Sequence, residues 1–148
     1  MIQFNIYLYA LPDQPLKPQG QLATSGRTLQ TWQVDNIDRH MMPVSFEQVE
    51  QCMSNLPRMF FELDGSFVWR GSSPDSADSS TNGSTNNWQI DGMVYDVAGQ
   101  VARIELKGHC PIEVFVQLLS CIQPADKLLA YSLDHGCFFR VGELLETN

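Results

Sequence analysis

The chain has 148 residues, 43% of them apolar and 18% charged, enough to bury a core and too apolar for a disordered polyelectrolyte. Seventeen acidic side chains against nine basic ones leave a net charge of −8. That balance argues against nucleic acid and against an anionic membrane surface as partners, because no Lys/Arg cluster stands in the sequence to displace counterions.

Residues 1–11 lack the basic stretch and unbroken apolar run of a secretory leader. No segment approaches the roughly 18 apolar residues that a membrane helix needs. The cysteines, Cys52, Cys110, Cys121 and Cys137, form no CxxC pair. With a core of ordinary size available, they read as reduced, mostly buried thiols and the protein as cytoplasmic. The Asn82-Gly83-Ser84 sequon then reads as an accident of a Ser/Asn-rich segment.

Ile2, Phe4, Ile6 and Leu8 alternate with Gln3, Asn5, Tyr7 and Tyr9, the period of a half-buried strand. Pro12, Pro15, Pro18 and Gly20 read as an extended polar connection rather than as an element. Thr28 to Val34 is a second strand, with Trp32 and Val34 as its core anchors. Ser45 and Gln48 have capping-box spacing, Val44 and Val49 suit a hydrophobic staple, and Phe46, Val49, Met53 and Leu56 make one apolar helical stripe that ends before Pro57.

Met59 to Arg70 reads as a tight hairpin with Asp64-Gly65 in a type I′ turn. That register sets Phe61 opposite Val68 and Phe60 opposite Trp69, and two apolar faces imply a central hairpin covered on both sides. Residues 72–87 carry no large apolar side chain and are expected as a flexible Ser/Asn-rich loop within one domain spanning 1–148. Trp88 and Ile90 share one phase and Met93, Tyr95 and Val97 the other, which predicts a β-bulge at Gly92. Val101 to Leu106 is a strand. Pro111 to Ile122, apolar almost all round with Pro111 at the first helical position, predicts a deeply buried helix. Lys127 to Leu133 and Cys137 to Val141 form a last hairpin around Asp134-His135-Gly136, and Gly142 to Glu146 a short terminal helix.

These elements predict an α+β fold, a mostly antiparallel sheet of hairpins with two main helices packed on it. Trp32-Gln33-Val34-Asp35-Asn36 matches Trp88-Gln89-Ile90-Asp91-Gly92, which raises a second expectation of two ββαββ halves. Independent hairpins obeying the same turn chemistry are the plainer reading.

No phosphate loop, dinucleotide turn, nucleophile elbow or HExxH motif is present. Cys110 stands where a helix begins, next to His109, and Asp134 with His135 could complete a thiol-based site. Against this, Cys110 suits a small buried position and the histidines suit turns. His109, Cys110, His135 and Cys137 have zinc-ligand types but no zinc spacing, so no metal and no cofactor is expected. Any pairing of Glu62, Asp64, Asp91, Asp96, Glu105 and Asp134 for acid–base work competes with the turn role of aspartates beside glycine. Tyr7 and Tyr9, on the non-core phase of the first strand, are candidate binding residues. The sequence therefore favours a non-catalytic binding domain whose acidity steers it to a protein with a basic surface. A small hydrolase or transferase built on Cys110 is the alternative, and self-association through the edge of the first strand a third reading.

Overall fold

The computed structural model describes residues 1–74 and 85–146. Among them, nine strands form one antiparallel sheet: β1 (Ile2–Ala10), β2 (Lys17–Thr24), β3 (Arg27–Gln33), β4 (Met59–Phe61), β5 (Ser66–Pro74), β6 (Thr85–Val97), β7 (Gln100–Cys110), β8 (Leu128–Ser132) and β9 (Cys137–Arg140). Their spatial order is β2-β3-β9-β8-β1-β7-β6-β5-β4. Three α-helices accompany them, α1 (Phe46–Ser54), α2 (Ile112–Leu119) and α3 (Val141–Leu145). The expected antiparallel sheet with two longer helices is therefore present. No helix among the described residues is long and apolar enough to cross a membrane.

Alternation decides which side of the sheet carries the core. Ile2, Phe4, Ile6 and Leu8 are buried on the same side as Ile104, Leu106, Ile90 and Trp69, and the ring of Phe115 in α2 lies 5.1 Å from that of Phe4. α1 opens with the expected capping box. Ser45 Oγ accepts from the Gln48 amide at 3.0 Å, and Gln48 Oε1 accepts from the Ser45 amide at 2.9 Å. The approach to α1 is pinned to the β6–β7 turn, where the Met42 amide donates to Val101 O and the Phe46 amide to Gly99 O. Trp69 Nε1 donates to Pro57 O at 2.9 Å and ties the exit from α1 to β5.

Several expectations are corrected. Cys52 and Cys121 are joined in a disulfide with Cα atoms 5.4 Å apart, linking α1 to the segment just after α2, while Cys110 and Cys137 are free. The supposed polar connection contains β2, which pairs with β3 along its length. It escaped the apolar pattern because an outermost strand buries little: only Leu22 is fully enclosed. In β3 the buried residues are Leu29 and Thr31, not Trp32 and Val34, so the strand has the opposite phase.

The β4–β5 hairpin is also shifted by one residue, with Phe61 opposite Phe67 and Phe60 opposite Val68. A longer loop explains the shift. The Gly65 amide donates to Glu62 O, Gly65 alone takes positive φ, and Asp64 accepts from both the amide and the hydroxyl of Ser66, at 2.9 and 2.7 Å. This hairpin lies at the sheet's margin rather than its centre, and Phe60 is 60% exposed.

β6 runs through Gly92 without a break; its irregularity falls between Tyr95 and Asp96. Ser72–Pro74 and Thr85–Asn87 belong to strands, and the rest of the expected loop, with Asn82, lies outside the described residues. α2 is buried on one face only, through Phe115, Leu118 and Leu119, while Val116 is exposed, and Pro111 is its N-cap.

The hairpins on either side of α1, β2–β3 and β4–β5, occupy opposite ends of the sheet, so the first half forms no separate ββαββ body. β1 is the middle strand, paired with β7 and β8, and offers no edge for self-association.

Candidate functional site

Among the described residues the second face of the sheet carries no α-helix, and its composition is unusual for so acidic a chain. Strand pairing sets Trp32, Phe138, Tyr131, Tyr7, Glu105 and Met93 in one line across β3, β9, β8, β1, β7 and β6. Four aromatic residues therefore stand side by side, all of them half-buried. The Tyr131 and Phe138 ring centres are 4.8 Å apart, and Tyr9 joins them 6.1 Å from Phe138 and 6.3 Å from Tyr7. Tyr9 and Leu129 are buried yet stand outside the main core, so this face has a small apolar cluster of its own.

Guanidinium groups are stacked on that cluster. The Arg103 guanidinium carbon lies 4.2 Å from the Tyr95 ring centre and 5.3 Å from that of Tyr7, and that of Arg140 lies 4.8 Å from Trp32. Ring quadrupoles attract such cations and fix their planes. Arg103 Nε and Trp32 Nε1 are enclosed without a hydrogen-bond acceptor among the described residues. Tyr95 donates to Glu105 at 3.4 Å. Burial raises the Tyr9 phenol, Arg103 acts against it, and the charge of Asp38, on the β3–α1 connection, raises it further.

Beside this cluster, Lys107 stands between Asn5 and Asp91, and Arg70 stands across Gln89 from His109. Four of the nine basic residues, Arg70, Arg103, Lys107 and Arg140, thus share one face with the carboxylates Glu105 and Asp91.

The thiol-based candidates are not brought together. Cys110 is fully buried, and burial pushes its thiol up to about 12, the reverse of an activated nucleophile. Its strand neighbour His109 points to the other side of the sheet, as alternation requires, and its Nε2 meets Asn87 O at 3.1 Å. His109, Asp134 and His135 do border one cavity of about 660 Å³, with Lys107 and Ser25. Asp134 there accepts a hydrogen bond from Asn5 at 3.1 Å. No group of three His, Cys, Asp or Glu side chains able to hold a metal is found among the described residues.

Of the two tyrosines singled out by alternation, Tyr7 is half-buried and Tyr9 is 8% exposed, so Tyr9 supports the face from beneath instead of being displayed on it. Arg103, Tyr131, Phe138 and Trp32 were missed. Each holds the phase opposite to a buried neighbour, and that alternation was their only sequence signal. Compared with known proteins, the chain matches no family model, no curated protein and no solved structure.

Proposed function

We propose that the protein is a non-catalytic binding module and that the helix-free sheet face receives a protein segment bearing carboxylates. One observation carries the reading: a row of four adjacent aromatics, Trp32, Phe138, Tyr131 and Tyr7, flanked by guanidiniums held on ring faces. Aromatic and arginine side chains offer large contact area with little rotamer entropy left to lose, which is why they dominate interface hot spots. Net charge alone favours a basic partner. The local surplus of cations on this face favours an acidic one, because recognition reads the patch rather than the total. The Cys52–Cys121 pair also removes the argument from reduced thiols on which the cytoplasmic expectation rested.

The test is amide chemical-shift mapping with two synthetic peptides, one alternating Glu and Leu and the other Lys and Leu. The reading expects the acidic peptide to perturb Tyr7, Lys107, Tyr131 and Phe138, with an effect that weakens as salt is added. Perturbation by the basic peptide alone, or shifts confined to α1 and α2, would overturn it.

A further inference from the structure

The positive charge on the aromatic row is placed at its two ends. We infer that the partner segment lies extended along this row and carries two carboxylates four residues apart with an apolar side chain midway, the pattern acid-x-apolar-x-acid. This rests on the reading of the face given above and adds a spacing to it.

Strand order fixes the gap. Trp32, Phe138, Tyr131 and Tyr7 belong to the neighbouring strands β3, β9, β8 and β1. The two end residues are therefore three strand spacings, about 14 Å, apart. Each end carries a guanidinium seated on its ring, Arg140 on Trp32 at 4.8 Å and Arg103 on Tyr7 at 5.3 Å, so both cations stand on the same face as the row. Neither is in an ion pair among the described residues, although acids outnumber bases seventeen to nine in this chain. A guanidinium stacked through its plane keeps its N–H edge for a carboxylate.

The accessible row is narrow. On one flank the next residues along β1 and β8 on this face, Tyr9 and Leu129, are 8% and 0% exposed and present no surface to a partner. An extended chain suits such a strip: alternate side chains point the same way, and four residues span about 13 Å. A helix is about 10 Å across and takes about nine residues to cover the gap. Midway between the two ends stand Phe138 and Tyr131, with ring centres 4.8 Å apart, which is where the middle side chain of the pattern would rest. Beyond Tyr7 the same row continues into Glu105, whose charge repels a further carboxylate.

Calorimetry on the full chain tests the spacing, using capped Glu/Leu/Ser peptides of equal length and composition whose two Glu residues are two, four or about nine positions apart. The peptide with spacing four is expected to bind about tenfold more tightly than that with spacing two, because only the former reaches both guanidiniums. Arg140→Gln and Arg103→Gln should each erase that advantage. Equal affinity at all spacings, a preference for the widest one, or an advantage that survives in Arg140→Gln would each overturn the inference while leaving an acid-binding face in place. Failure of every peptide to bind would overturn both the spacing and the reading of the face. If Arg103→Gln does not fold, Arg140→Gln decides by itself, because Arg140 is exposed and its loss leaves the core intact.

Discussion

The ring of Phe67 occupies the space that a side chain at Gly92 would fill: the two residues are paired across β5 and β6, and a Cβ at Gly92 would stand inside the ring's contact distance. Phe67 is held in place from its other side, stacked on Phe61 at 5.8 Å, while Phe46 of α1 lies 5.9 Å from Phe61. Gly92 thus belongs to the packing of α1 on the sheet. Gly92→Ala should destabilise the protein by about 1–3 kcal/mol through overpacking. Phe67→Leu in the same chain should recover part of that loss, a non-additivity that denaturant melts of the two single variants and the double variant measure directly. Strict additivity would show that the ring does not depend on the glycine.

The four cysteines should divide into a bonded pair and two thiols of unequal reactivity. Intact mass after alkylation without reductant is expected to show two modified thiols, with Cys52 and Cys121 protected by their bond. Under native conditions at neutral pH, Cys137, half-buried, should react before Cys110, whose thiol is fully enclosed and pushed up to about 12. Cys52→Ser with Cys121→Ser should cost about 2–4 kcal/mol, since the bond closes a loop with a sequence separation of 69. Rapid labelling of Cys110 would contradict its burial and reopen the thiol-based reading.

Alkaline pH should act through the aromatic face. Burial raises Tyr9 above the ordinary phenol value of 10.0, so the folded protein holds that proton more tightly than the unfolded chain. The corresponding stability is fully present below the ordinary value and is lost as pH rises through Tyr9's raised one. Arg103 pulls Tyr9 and Tyr95 downward, so Arg103→Gln should move the last tyrosinate absorbance steps to higher pH, while Tyr9→Phe should blunt the alkaline loss of stability. Steps left where they were in Arg103→Gln would show that the guanidinium does not act on these rings.

Local rules were legible wherever short-range chemistry is sufficient. Ser45 and Gln48 satisfy each other's backbone within one helical turn, and β1 reads correctly because a central strand buries every second side chain through Leu8. The same rules fail where a neighbour in space decides. The Gly92 phase change vanishes once Val94 is seen to be buried and Met93 only half-buried, and the Asp64-Gly65 turn lengthens because Ser66 offers Asp64 two donors. β2 gave no apolar pattern since a marginal strand is held by backbone hydrogen bonds that any residue can make.

The candidate site shows the same division. Sequence by itself determined the acidity, the two longer helices, the antiparallel hairpins and the side to which Tyr7 belongs, because charge and side-chain period are properties of the chain alone. Only the tertiary structure decided that β1 lies in the middle, that Cys52 meets Cys121, and that Arg103 stacks between tyrosines of different strands. Those facts depend on strand order and on which helices share a face, and both are set by packing between segments far apart in sequence.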